Sequence, residues 1–273
     1  MRFLSSIVLT IITINIAFGQ GLLPSAEYAI TPEDYGMDYK EVEISGEVKL
    51  HGWFFKPTEA TKKIVIISDD GKGNMADNIE IVSNFLSLGY HVLTYDYRGF
   101  GKSGEFKINS KFFIRSEFQK DLESVINYVK KYHAKLTVVD LYGVGIGAGM
   151  SISVGCNNIN IKHIVADAPY YSLEATKRKI KEVMGTELMM PLGYNKIQFE
   201  PKYALVEKGK HISGILVFIG ETDAVFGPDQ CKELSKGSIT KVTCNVVAGV
   251  ENGENFSSNK DEYFNTIKKF LGK

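Results

Sequence analysis

The run "KIVIIS", Lys63 to Ser68, is apolar almost throughout. A strand with one wet face alternates apolar and polar residues, so a continuous run must be covered on both sides. That is the state of a strand inside a parallel sheet with helices on each face. The rest of the chain supplies the layers. "KEVEISG" and "EVKLHGWFF" read as an early hairpin, and "HVLTYDY", "LTVVDLYG", "IKHIVAD", "GILVFIG" and "KVTCNVVAG" as further strands. Between them, helical spacing marks Ile79, Val82, Phe85 and Leu86, then Ile114, Phe118, Leu122, Val125, Val129 and Tyr132, then Ala148 to Val154. Tyr263, Phe264, Ile267, Phe270 and Leu271 make a last amphipathic helix. This alternation predicts an α/β fold with a mostly parallel, doubly wound sheet, in which ligands sit at the carboxyl ends of the strands.

The rhythm breaks from about Met184 to Tyr203. "MGTELMMPLGYNKIQFEP" has two prolines and no period, and is read as a lid-like excursion over one end of the sheet. The first residues differ again. Arg2 precedes an apolar stretch from Phe3 to Phe18, and Ala17 and Gly19 are small residues where a signal peptidase would read them. The expectation is a signal peptide over 1–19, export to a periplasmic or extracellular space, and a single domain over 20–273; an uncleaved segment would anchor the chain to a membrane. After cleavage, no stable membrane insertion is expected. Lys and Arg together number 32, as do Asp and Glu, which argues against nucleic acid as a partner. Three cysteines are an odd number for an exported chain. Cys156 and Cys244 are expected to be buried and inert; Cys231 could pair with Cys244, but spacing alone does not fix the geometry.

"LYGVGIGAG", Leu141 to Gly149, reads as a strand turning sharply into a helix. Gly143, Gly145 and Ala148 satisfy G-x-G-x-x-[GA], with Asp167 about 20 residues on, where a ribose-binding acid could sit. The neighbouring sequence points elsewhere. "LTYDYRGFGKSGE", Leu93 to Glu105, resembles the stretch after the fourth strand of α/β hydrolases, particularly the branch that groups serine aminopeptidases with related esterases. "VKLHGWFFKP" resembles that branch's second strand, and "ILVFIGETDAVFGPDQ" the strand and loop carrying its catalytic acid.

The resemblance implies a serine on a G-x-S-x-G elbow, a histidine base and an orienting acid. Gly143-Val144-Gly145-Ile146-Gly147 matches the elbow, with Gly145 at the nucleophile position. Asp223 holds the acid position. The histidine loop reads Gly249-Val250-Glu251-Asn252-Gly253, with Asn252 at the base position. Glycine offers no nucleophile, and asparagine does not titrate near neutral pH. None of His51, His91, His133, His163 and His211 follows position 211, and each is read as structural or superficial. In the oxyanion region, Asp69 and Asp70 replace the family's His-Gly, and Ile146 follows the nucleophile position.

The expected function is therefore that of an exported α/β-hydrolase homologue that has lost serine-hydrolase chemistry and has a binding or structural role, its partner a small molecule or peptide, with no cofactor. The alternative is an esterase- or peptidase-type hydrolase whose active site is altered or lies elsewhere. Asp69, Asp70, Asp223, Glu251 and Glu254 all follow strand ends, with Lys72 nearby to offset them. They are expected to give the old site a negative potential that favours a cation, an amine or a basic peptide, calcium being one candidate.

Overall fold

The structure is a computed structural model, which describes residues 21–251 and 253–272. The expected signal segment and Asn252 lie outside the described residues. The main sheet has eight strands: β1 (Tyr39–Ser45), β2 (Lys49–Phe55), β3 (Lys63–Ser68), β4 (His91–Tyr95), β5 (Val138–Val144), β6 (Ile161–Asp167), β7 (Gly214–Gly220) and β8 (Val242–Val247). Their order is β8-β7-β6-β5-β3-β4-β2-β1. β1 and β2 form the antiparallel hairpin, β2 runs antiparallel to β4, and every other pairing is parallel. This is the expected α/β-hydrolase architecture.

The apolar runs lie where double coverage demands. Five of the six residues of β3 and all seven of β7 are buried. One face carries α2 (Glu117–Tyr132), α3 (Ile146–Cys156) and α6 (Pro201–Lys208), packing Phe118, Leu122, Met150 and Leu205 onto Ile66, Leu141 and Val217. The other carries α1 (Ile79–Ser87) and α9 (Lys260–Leu271), whose Phe85 and Ile267 meet Tyr142 and Phe218. α9 starts at Asn259, whose side chain accepts a bond from the Glu262 N–H at 3.1 Å and so satisfies one of the helix's open donors.

β3 pairs with β4 on one side and β5 on the other. The chain therefore reverses its direction of winding at β3, and a crevice opens at the carboxyl ends of β3 and β5. Asp69 and Asp70 leave β3 there, and Gly145 leaves β5.

The irregular segment is more structured than its sequence suggests. α4 (Leu173–Met184) precedes it, and α5 (Lys196–Phe199) and α6 follow without a long loop. Between α4 and α5, the main chain of Met189 bonds to Lys111 at 2.7 Å and Phe113 at 2.9 Å. The buried Glu200 holds its base, accepting from the Leu173 N–H at 3.0 Å and the Tyr194 hydroxyl at 2.8 Å. Leu192 stands 93% exposed at its tip.

Cys244 departs from expectation. β8 is an edge strand with no fully buried residue, so Cys244 is exposed, and it forms a disulfide with Cys231 on α7 (Pro228–Ser235), with Cα atoms 6.3 Å apart. Cys156 is free and buried, as expected.

Candidate active site

The turn from β5 into α3 has the shape of a nucleophile elbow. Gly145 has φ 55° and ψ −116°, a conformation sparsely used by residues with a side chain. Its N–H donates to the Asp167 carbonyl at 2.9 Å, and its carbonyl accepts from the Gly149 N–H at 3.2 Å. The neighbouring glycines have a different cause. A Cβ on Gly143 would overlap the Gly147 carbonyl, one on Gly147 the carbonyls of Ser68 and Asp69, and one on Gly149 the ring of Tyr170. Those three are imposed by close packing of the helix start on β3 and Tyr170. At Gly145 the constraint is the dihedral angle, because a Cβ there would first meet Asp70 Cβ at 3.1 Å.

Ile146 is the first residue of α3, so its N–H is among the donors with no partner inside the helix. That places one oxyanion-type donor beside the elbow. Asp69 and Asp70 face the same corner. Asp69 is buried and accepts from the Gly71 N–H at 3.0 Å and the Asn78 amide at 2.8 Å. Burial, with Asp70 and Asp77 close by, holds its carboxyl well above the usual carboxylate range. Burial also raises Asp70, against the opposing pull of the Lys72 N–H and ammonium. The two thus keep a proton to higher pH than exposed acids and carry less negative charge than a count of residues implies.

Asp223 sits in the loop after β7, 6% exposed. Its Oδ1 accepts from the Val225 and Phe226 N–H groups, each at 2.8 Å. Its Oδ2 is buried with no hydrogen-bond partner among the described residues. Burial raises its carboxyl, and Glu251 adds to the shift. An acid in a histidine-based triad uses one oxygen to hold an imidazole N–H and the other to fix itself. Here the fixing half is complete, and the other oxygen has no donor among the described residues.

The expected acidic cleft is only partly formed. Glu251 and Glu254 are exposed. The cleft that reaches Asp223, about 420 Å³, is lined also by Glu182 and Asp229 and by Arg178 and Lys179, so charge of both signs shares it. Among the described residues no group of three His, Cys, Asp or Glu side chains could hold a metal ion.

Asp167 belongs to a network that spacing alone does not disclose. It is buried at the end of β6, and accepts from the Asn255 amide at 2.6 Å and the Tyr263 hydroxyl at 2.8 Å. Tyr263 and Tyr142 hydroxyls share a further bond of 3.0 Å. Burial pushes Asp167 up to about 6. With both oxygens committed to α9 and the short helix α8 (Asn255–Ser258), Asp167 is not presented to a ribose, which removes the dinucleotide reading.

The histidines lie away from the elbow. His91 and His163 are near the amino ends of β4 and β6. His211 sits beside the Gly155 and Asn158 carbonyls, His133 stacks on Phe54 at 4.2 Å, and His51 bonds Tyr28 at 3.0 Å.

Residues 59–212 match the family model described as serine aminopeptidase, S33. The chain belongs to that family. Among curated proteins, this S33-family chain is 24% identical over 260 residues to the uncharacterized protein YqkD of Bacillus subtilis, covering 89% of the chain and 78% of YqkD. Among solved structures it is similar to the esterase Pf2001 of Pyrococcus furiosus, with 21% identity, a TM-score of 0.74, and 93% and 98% of the two chains covered. An α/β serine hydrolase homologue from Coxiella burnetii follows the same fold at 17% identity and a TM-score of 0.60, over 85% and 97% of the two chains. Among the described residues no helix is long and apolar enough to cross a membrane.

Proposed function

We propose that this S33-family chain has given up acyl-enzyme chemistry and uses the former active site to bind a small molecule or peptide. One observation carries the reading. The elbow keeps φ 55° and ψ −116°, the strained geometry that lifts a nucleophile above a sheet, and the residue held there is a glycine. Asn252 at the base position agrees with it, as does the Asp223 Oδ2, which has no partner among the described residues.

A hydrolase with an altered site is the second reading. Family membership and likeness to an esterase fold weigh for it. So do Asp69 and Asp70, two neighbouring carboxyls with raised proton affinity at the elbow, the type of group that can activate a water. A fluorophosphonate probe and a panel of chromogenic esters and aminoacyl amides, applied to purified protein, separate the two. Absence of labelling and of turnover supports a binding role. Turnover without labelling, lost in Asp70→Asn, supports the second reading.

Export through segment 1–19 is part of the proposal. The Cys231–Cys244 disulfide suits an oxidising compartment. Cell fractionation, with mass spectrometry of the mature amino terminus, tests it: an amino terminus at Gln20 in an exported fraction is expected, and full-length chain in the cytosol overturns it.

A further inference from the structure

The opposite edge of the sheet carries a second cavity, of about 350 Å³, bounded by the amino ends of β3, β6 and β7, the residue before β8 and the end of α9. We infer that this cavity is a binding site for a phosphate-bearing anion, built by Lys63, Lys162, Lys241 and His163. No Asp or Glu is among the residues that line it.

The topology gathers the charge. Lys63 is the first residue of β3, Lys162 the second of β6, and Lys241 directly precedes β8. Three elements far apart in sequence thus each contribute a lysine to the lining of one hollow, Lys162 and Lys241 from exposed positions and Lys63 with its ammonium over the Tyr90 ring. None of the three lysines forms an ion pair with a carboxylate among the described residues, although ten lysine–carboxylate pairs are formed elsewhere among them. Uncompensated like charges drawn together repel one another, and an anion between them removes that cost.

The second observation is how His163 is held. Asp140 is 1% exposed, inside β5. Its Oδ1 accepts from the His163 main-chain N–H at 2.9 Å and faces Nδ1 of the ring at 3.0 Å, and its Oδ2 accepts from the Tyr90 hydroxyl at 2.9 Å. A buried carboxylate whose oxygens are taken up in this way fixes the imidazole with Nδ1–H toward Asp140. Nε2, with no bond among the described residues, belongs to a side chain that lines the cavity; in the neutral ring it carries a lone pair and accepts from the P–O–H of a phosphomonoester monoanion, and in the protonated ring it donates to a phosphate oxygen. Phe270 braces the other side of the ring, with centroids 5.7 Å apart, and the Lys63 ammonium lies 5.3 Å from the centre of the Tyr90 ring. A flexible lysine is thereby partly oriented before any ligand arrives, which lowers the entropy cost of binding. The Tyr90 and Phe270 rings add apolar wall, so a phosphomonoester with an organic group suits the space better than a bare ion. The site lies at the far edge from Gly145 and does not depend on whether the elbow catalyses.

The test is calorimetry and thermal melting of the full mature chain with inorganic phosphate, glycerol 3-phosphate, phenyl phosphate and acetate, at low and at 0.5 M sodium chloride. Saturable binding is expected, tighter for the phosphomonoesters than for acetate and weakened at least tenfold by salt. A Lys63→Gln/Lys162→Gln/Lys241→Gln variant is expected to lose at least tenfold in affinity while melting no lower than the parent without ligand. His163→Gln, which keeps a polar group near Asp140, is expected to weaken phosphate severalfold. Absence of saturable binding by every phosphate compound, or binding unchanged in the triple variant, overturns the assignment. Equal binding of acetate and phosphomonoesters overturns the phosphate preference. Probe labelling and ester turnover, measured on the same variants, are expected to be unaffected, which keeps this result apart from that of the elbow.

Discussion

Asp70 stands directly against Gly145: a Cβ built on the glycine would lie 3.1 Å from the Asp70 Cβ. In a working elbow that direction is where the nucleophile's side chain projects, so a carboxylate-bearing residue now borders the space a serine would enter. Gly145→Ser should therefore be structurally tolerated at a cost. The dihedral strain is of order 1–3 kcal/mol for a residue with a side chain, and the Asp70 contact adds to it. The variant is expected to be less stable by about that amount in urea unfolding, and to show no fluorophosphonate labelling. An unchanged or raised stability would mean that the turn does not hold this geometry in solution.

The Oδ2 of Asp223, unpartnered among the described residues, makes the next outcome sharper. A buried carboxylate oxygen without a donor is a ready acceptor for an imidazole N–H. Gly145→Ser combined with Asn252→His is therefore expected to gain probe labelling at least tenfold above the background of Gly145→Ser alone, since a positioned base contributes roughly 10²–10⁴ to such a step. Adding Asp223→Asn should remove most of the gain. If the pair stays as inert as the single variant while remaining folded, the acid is not positioned for the family's mechanism.

The strands, their order of appearance and the elbow were all legible because they rest on local signals. "KIVIIS" and "GILVFIG" coincide with β3 and β7, since a strand that must be dry on both faces is apolar almost from end to end and so marks its own extent. The glycines of "LYGVGIGAG" announce the turn, yet their separate causes were hidden: only the folded chain brings the Ser68 carbonyl and the Tyr170 ring against Gly147 and Gly149. The Asp167–Asn255–Tyr263–Tyr142 network joins residues up to 121 positions apart, and no periodicity encodes such a meeting. The amino-edge lysines carry no sequence signal for the same reason. Each is unremarkable beside its own strand, and only the parallel sheet aligns them.

Asp167 predicts a pH dependence with a definite sign. Its carboxyl is pushed up to about 6 by burial, whereas in the unfolded chain it titrates near the usual 3.8. Below the unfolded value both states are protonated, and the group's contribution is fully present. As pH rises toward 6 the unfolded state ionises first, so that contribution is lost through this window and changes little above it. Two pH units correspond to about 3 kcal/mol. In Asp167→Asn the amide can bond to Tyr263, which passes its own proton toward Tyr142. The stability of the variant relative to the parent should rise by about that amount between pH 4 and pH 7 in denaturant titrations. A constant difference across the range would mean that Asp167 does not carry a raised value in the fold.

Reduction of the Cys231–Cys244 bridge should loosen one edge of the sheet before the rest. β8 pairs only with β7, buries none of its residues fully and contains Cys244, so its own apolar contacts contribute little. The bridge ties it to α7, whose Leu234 is buried in the main core. Closing a loop of 13 residues stabilises a fold by about 3 kcal/mol in the chain-entropy view, because it restricts the unfolded chain. Cys231→Ser/Cys244→Ser is expected to lose about 2–4 kcal/mol, and hydrogen exchange at residues 242–247 should speed up more than at β3 or β5. Lys241 borders the same strand, so the variant is also expected to bind phosphomonoesters more weakly. Uniform acceleration across the sheet, with phosphate affinity unchanged, would show that β8 is held by its pairing to β7 rather than by the bridge.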